Sequence, residues 1–138
     1  MKLFVGGSKG IKIPEKMIRD KTEKWMAAGM EILIGDCSGT DAAIQHALAG
    51  RKYPNVTLYT VHAEPRRNAG SWRVSVVPGS DPPFTFHDYR RREAAMAKAA
   101  DGGFMIWDGK SRRAFVNMVE LLGLGKPVEV WLTEKQRS

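Results

Sequence analysis

Three short, unbroken apolar runs, Leu3-Phe4-Val5, Ile32-Leu33-Ile34 and Phe104-Met105-Ile106-Trp107, stand between glycines or acidic residues. Strands covered on both faces have this form, because neither set of side chains meets water. Two further runs, Val56-Thr57-Leu58-Tyr59-Thr60-Val61 and Val128-Glu129-Val130-Trp131-Leu132, mix polar residues into the apolar pattern. They predict strands where a sheet edge meets solvent.

Between the strands the period changes to that of helices. Pro14 suits a first helical position, Ile18 and Trp25 fall on one face, and Gly29 can close the segment. Thr40 or Asp41 can cap a second helix that buries Ala43, Ile44, Ala47 and Leu48 and stops at Gly50. Asp88 can cap a third, burying Ala95, Met96 and Ala99 before Gly102. The fourth has Ser111 as cap, then Phe115, Met118, Val119 and Leu122 as the buried stripe, then Gly123.

Strand and helix therefore alternate as β-α-β-α-β-insert-α-β-α-β. This predicts a single Rossmann-like α/β domain over residues 1–138: a five-stranded parallel sheet with helices on both faces. With the buried strands at the centre the order is 3-2-1-4-5, and the topological switch point lies between strands 1 and 4, where such folds bind ligands. Residues 62–86 interrupt the alternation with Pro65, Pro78, Pro82, Pro83, Gly70 and Gly79 around one strand-like run, Trp72–Val77. An insert of that length is read as a flap over the site or as an oligomer contact. The polar tail Thr133–Ser138 is expected to fray.

Composition narrows the class. The chain is 43% hydrophobic and 27% charged, near globular averages, which excludes a disordered or fibrous protein. A single cysteine, Cys37, cannot form an internal disulfide, and no apolar run approaches the ~20 residues of a membrane span. The amino terminus reads as a strand rather than a signal peptide, so the expectation is a cytoplasmic protein without membrane contact. The net charge of +7 is uneven: +3 over residues 1–61, +4 over 62–113 and none over 114–138. Arg66, Arg67, Arg90–Arg92, Lys110, Arg112 and Arg113 supply the middle excess.

Three loops at the carboxyl ends of buried strands carry the candidate chemistry. Gly6-Gly7-Ser8-Lys9-Gly10 lets backbone N–H groups approach a phosphate without an intervening Cβ, although a glycine turn with no ligand has the same composition. Gly35-Asp36-Cys37-Ser38-Gly39-Thr40-Asp41 joins a strand to a helix start, where N–H groups and the helix dipole favour an anion. Ser38, Gly39 and Thr40 would contact that anion. Asp36 or Asp41 can accept ribose hydroxyls or act as general acid or base, or Thr40 and Asp41 can simply cap the helix. Asp108-Gly109-Lys110-Ser111-Arg112-Arg113 brings cations to the same edge, joined by Arg91 and Arg92; a solvated helix face is the alternative.

Other positions carry weaker signals. Cys37 lacks a partner base and is read as an unreactive thiol. His46, His62 and His87 have no ligand spacing, so neither a metal nor another cofactor is expected. Trp107 and Trp131 are read as core or interface, whereas Trp72, within the insert, is exempted as a possible stacking platform.

The stretch Asp88-Tyr89-Arg90-Arg91-Arg92-Glu93-Ala94-Ala95-Met96, followed by Ala100-Asp101-Gly102-Gly103-Phe104-Met105-Ile106-Trp107, resembles the LOG ("lonely guy", lysine-decarboxylase-like) proteins. Val5–Ser8 and Ile34–Asp41 are similar to the wider SLOG superfamily of DprA-type and LOG proteins, particularly its YspA-like and YpsA-like branches. The resemblance covers most of the chain outside 62–86. It implies a Rossmann-like fold binding nucleotide-derived ligands, in some branches with cleavage of an N-glycosidic bond to a ribose phosphate. It also implies Arg92 as the functional arginine and a homodimer. The chain departs from LOG enzymes after the fourth strand, where Asp108–Arg113 replaces their P-G-G-x-G-T-x-x-E motif and leaves its acidic residue without a counterpart.

Three functions follow as expectations. The first is binding of a phosphorylated nucleotide or nucleotide-derived small molecule. The second is a phosphoribohydrolase that cleaves a nucleoside monophosphate to base and ribose 5-phosphate, using Arg92 with a carboxylate among Asp36, Asp41 and Asp108. The third, less favoured because the cations gather at a pocket rather than along an aromatic-studded stripe, is single-stranded nucleic-acid binding.

Overall fold

Residues 1–78 and 83–133 are described by the computed structural model, in which strands and helices alternate along the chain. They run β1 (Lys2–Gly7), α1 (Glu15–Ala27), β2 (Glu31–Gly35), α2 (Thr40–Gly50), β3 (Val56–Thr60), β4 (Arg73–Val76), α3 (Phe86–Ala99), β5 (Gly102–Trp107), α4 (Arg112–Gly123) and β6 (Val128–Leu132). The strands form one sheet in the order β4-β3-β2-β1-β5-β6, with every neighbouring pair parallel.

The expected order of five strands is present within this sheet, and the expected count is corrected to six among the described residues. The extra strand is the run Arg73–Val76 of the insert, which pairs with Thr57–Thr60 and takes the edge from β3. The insert is thus neither wholly a flap nor wholly a contact surface: part of it extends the sheet. Residues 79–82 and 134–138, including Gly79, Pro82 and most of the polar tail, lie outside the described residues.

Period-two alternation divides the core. Leu3, Val5, Ile32, Ile34, Val56, Leu58, Phe104 and Ile106 pack on the α1/α2 side with Trp25, Ile44 and Leu48. Phe4, Leu33 and Met105 point the other way, onto Met96, Ala97, Met118 and Leu121 of α3 and α4. Both faces of the central strands are dry, which explains why their sequences read as unbroken apolar runs. Trp72 belongs to the first of these cores, only 7% exposed, with its indole N–H donated to the Tyr53 carbonyl at 2.7 Å. Its reading as a stacking platform is therefore corrected.

Two helix starts differ from expectation. Gly39 occupies the N-cap of α2 with φ of 77°, while the Thr40 hydroxyl donates to the Ser8 carbonyl and the Asp41 carboxylate accepts the Cys37 N–H. Neither side chain caps the helix in the usual manner. Helix α3 begins before Asp88, whose carboxylate accepts both the N–H and the hydroxyl of Thr85. Ser111 does cap α4, accepting the Ala114 N–H.

The expected buried stripe of α4 is largely wrong. Ala114, Asn117, Met118 and Leu121 face the core, whereas Phe115, Val119 and Leu122 are more than half exposed. The helix is apolar over a wider arc than one sheet can cover, so periodicity selected an arc that includes the outer side.

Gly103 fixes the approach of α4 to the sheet: a Cβ there would fall inside the contact distance of Leu121 Cδ1, a side chain with no exposed surface. Gly103→Ala should therefore destabilise the fold by about 1–3 kcal/mol through overpacking. A lowered urea midpoint is the expected result, and an unchanged midpoint would contradict this packing.

Candidate functional site

The carboxyl ends of β1 and β5 diverge into connections that leave in opposite directions, one to α1 and the other to α4, and the cleft between them is the switch point. A small cavity of about 20 Å³ opens there, lined by Gly6, Gly7, Lys9, Gly35, Cys37, Ser38, Asp41, Arg92, Glu93, Arg113 and Asn117 among others. That volume admits roughly one water or hydroxyl group.

Helix α3 provides the centre. Arg92, only 2% exposed, donates from Nη1 to Asp36 at 3.1 Å and lies 3.6 Å from Glu93 Oε1. Asp36 in turn accepts the Thr60 hydroxyl at 2.7 Å and the Arg66 N–H at 2.9 Å, so it is fixed from both β3 and the insert. Arg113, from the first turn of α4, donates Nε to Glu93 at 2.9 Å. The Cys37 sulfur accepts from Arg66, Arg92 and Arg113 at 3.3, 3.5 and 3.4 Å. The guanidinium carbons of the same three arginines lie 5.2–5.7 Å from the centroid of the Tyr89 ring, a cation–π arrangement that keeps them together.

Gly35 is required by this cluster. A Cβ there would stand 2.7 Å from Asp41 Oδ2 and 2.8 Å from Arg92 Cζ, both in buried side chains that cannot swing away. Gly7 has a comparable reason, since its Cβ would meet the Ile106 carbonyl at 2.5 Å and the Thr40 hydroxyl at 2.8 Å. The glycine of the first loop is thus demanded by the packing of neighbouring loops.

The expected site residues separate into two groups. Gly6, Gly7, Lys9, Gly35, Ser38, Asp41 and Arg92 line the cavity, with Asp36 behind Arg92. Ser8, Gly39 and Thr40 form the join between the first two loops, with Ser8 fully buried and Gly39 against the Lys9 backbone. Of the last loop only Arg113 reaches the cavity, and Asp108, Gly109, Lys110 and Ser111 do not line it. Asp108 accepts the N–H groups of Lys110 and Ser111 at 2.8 and 2.7 Å, Gly109 turns the chain at φ of 79°, and Lys110 is exposed. Arg91 points away from Arg92 and pairs with Asp88 at 2.9 Å.

Glu93, Asn117 and Tyr89 carry no signal of their own in the sequence pattern, and Arg113 appears there only among loop cations. Adjacent Arg92-Glu93 on one helix, with Arg113 and Asn117 four apart on another, was the available signal. Among the described residues no three His, Cys, Asp or Glu side chains converge as metal ligands, and no helix is long and apolar enough to cross a membrane.

The charges are matched: Asp36, Asp41 and Glu93 against Arg66, Arg92 and Arg113. Burial works against ionisation of Asp36, but the Arg66 N–H, the Thr60 hydroxyl and the guanidiniums of Arg92 and Arg66 outweigh it and lower its pKa. Burial dominates at Asp41 and raises its pKa despite Arg92 and the Cys37 N–H. Arg92 and Arg113 lose hydration, yet the surrounding anions, Asp41 foremost for Arg92 and Glu93 for Arg113, hold both more firmly protonated than usual.

These shifts make opposite contributions to stability. Asp36 stabilises fully above its ordinary value of 3.8, and this is lost as pH falls through its lower folded-state value. Asp41 stabilises below 3.8, and that contribution is lost as pH rises through its higher folded-state value. Asp36→Asn should destabilise the protein near neutrality and weaken its acid sensitivity, whereas Asp41→Asn should weaken the decline above 3.8. Urea midpoints from about pH 3 to 7 measure both, and a wild-type acid slope in Asp36→Asn would refute the first.

No family model matches the chain, and no curated protein matches it in sequence. Among solved structures it is similar to DNA processing protein A from Helicobacter pylori, described for a unique single-stranded DNA binding mode. The superposition has a TM-score of 0.69 at 15% identity and covers 97% of this chain and 68% of that one. At that identity it is the Rossmann-like α/β fold that the two chains share.

Proposed function

We propose that the chain binds a phosphorylated, nucleotide-derived small molecule at the carboxyl edge of the sheet. One observation carries this reading: Arg92 Nε and Glu93 Oε2 are buried without a hydrogen-bond partner among the described residues, and both side chains line the switch-point cavity. An orphan donor and an orphan acceptor each cost about 1–3 kcal/mol, which a ligand's hydroxyl groups would recover. The cavity is too small for a base or a phosphate, and the carboxylates of Asp41 and Glu93 would repel the latter. The ligand therefore directs sugar hydroxyls inward and its phosphate outward, toward exposed Lys9 and the amino end of α2. In this arrangement Asp36 is a positioning residue that fixes Arg92.

Hydrolysis of an N-glycosidic bond at the same site draws support from Asp41, whose raised pKa and proximity to Glu93 suit an acid–base pair. This is the reading nearest the LOG resemblance. Single-stranded DNA binding draws its support from the fold shared with DNA processing protein A and from exposed Lys9, Lys110 and Arg112, the last over the exposed ring of Phe86. A ring beside cations suits base stacking along a phosphate backbone.

Calorimetric titration with the common ribonucleoside monophosphates and the matching nucleosides separates these readings. Lys9→Ala should weaken a monophosphate about tenfold and leave its nucleoside unchanged, whereas Glu93→Gln should weaken both. Release of free base that disappears in Asp41→Asn would establish turnover. If no nucleotide binds but a labelled single-stranded oligonucleotide does, with a steep salt dependence, the small-molecule assignment is wrong.

A further inference from the structure

The chain's lone cysteine lies at the centre of the arginine cluster, and the proposed nucleotide contacts leave its sulfur unused. Cys37 is 4% exposed and follows β2 directly, with its N–H donated to Asp41 Oδ2 at 3.1 Å. A structural cysteine packs as a small apolar group and is inert. This sulfur instead accepts a guanidinium N–H from each of three parts of the fold: Arg66 Nη2 of the insert at 3.3 Å, Arg92 Nη1 of α3 at 3.5 Å and Arg113 Nη2 of α4 at 3.4 Å. The expectation of an unreactive thiol rested on the want of a partner base, but cationic neighbours activate a sulfur as a base does.

A second observation calls for a small polar group beside it. Arg92 Nε and Glu93 Oε2 have no hydrogen-bond partner among the described residues, and their side chains, 3 and 7% exposed, line the same cavity as Cys37. That cavity, of about 20 Å³, has room for roughly one hydroxyl group. The group that suits it accepts from a guanidinium, donates to a carboxylate and brings a single oxygen. The S–O–H of a sulfenic acid on Cys37 does all three. We propose that Cys37 is a site of oxidation by hydrogen peroxide, its sulfenic acid held in the switch-point cavity between Arg92 and Glu93.

Peroxide is the only reagent the step needs. The sulfur attacks one peroxide oxygen, an S–O bond forms as the O–O bond breaks, and the sulfur gives up the two electrons that the peroxide gains. The attacked oxygen keeps its proton and becomes the S–OH, while the departing hydroxide takes the thiol proton and leaves as water. Negative charge that develops on the departing oxygen meets the three guanidiniums. With no second cysteine in the chain, the sulfenic acid cannot close an internal disulfide and awaits an external thiol. On the nucleotide reading of this cavity the oxidised sulfur also competes with a sugar hydroxyl for the same two atoms; the oxidation itself does not rest on that reading.

The ligand-free full chain, treated with hydrogen peroxide, quenched with catalase and unfolded in dimedone, tests the proposal by peptide mass spectrometry, which separates Cys37 from the seven methionines. Cys37 should be oxidised at least about tenfold faster than glutathione under the same conditions, and dithiothreitol added before dimedone should abolish the adduct. Arg66→Ala, at a side chain 40% exposed, should slow the reaction about tenfold with an unchanged circular dichroism spectrum. Iodoacetamide, larger than the cavity, should alkylate native Cys37 more slowly than it does glutathione. Oxidation no faster than that of glutathione, a folded Arg66→Ala that reacts at the wild-type rate, or alkylation as fast as that of glutathione would overturn the proposal.

Discussion

A buried guanidinium organises the carboxyl edge of this sheet. Arg92 reaches from α3 across the ends of β1 and β2 to Asp36, which is itself held by Thr60 and Arg66. An unpaired charge at that depth would cost several kcal/mol, so each partner of Arg92 is a condition for folding as much as for function. Gly35 has no side chain because Arg92 and Asp41 occupy the space. Glu93 and Arg113 then extend the network to α4, and Tyr89 lies against all three arginines. Removing one member leaves its neighbours with an uncompensated charge, so single substitutions in this cluster should not behave additively.

The fold delivers these groups to one place through topology. Strands that run parallel all end at the same edge, and the change of direction at β1 and β5 keeps a helix from closing over their ends. Cores on both sides of the sheet make the platform stiff, which lets a charged network be held in one arrangement rather than several. The orphaned atoms of Arg92 and Glu93 stand out against that background, because nearly every other polar group in the cluster has a partner. Stability gained in the two cores offsets the cost of leaving them without partners.

Much of this was legible in the residues. Continuous apolar runs identified the central strands, and ranking strands by burial produced their order without any long-range information. The loops bearing Gly6, Gly35 and Asp41 were found because strand ends followed by glycine and a carboxylate are local signals. Arg73–Val76 could not be assigned to the sheet with the same force, since a short strand gains its identity from its neighbour β3. Glu93 and Arg113 were hidden for a related reason: their significance is a 2.9 Å contact between residues 20 apart, set by how α3 and α4 cross. Of the cations in Asp108–Arg113 only Arg113 reaches the cavity, whereas Asp108 spends its carboxylate on the loop's own N–H groups and Lys110 and Arg112 are exposed.

Helix α4 shows how one amphipathic pattern can serve two surfaces. Arg113 and Asn117 are four residues apart and turn toward the cavity, while Phe115, Val119 and Leu122 follow at about 180–240° around the axis from Arg113. A helix whose apolar residues served only its own core would need a single stripe near Met118 and Leu121. The second stripe is left uncovered within the described residues. Because the two sides of α4 are opposed, a contact on the outer side touches no cavity residue and can act on Arg113 only by shifting the whole helix. Gly103 holds α4 close against β5 and leaves little room for that motion. A substitution on the outer side, such as at Val119, should consequently leave the arginine cluster undisturbed, because the two surfaces share a helix and no residues.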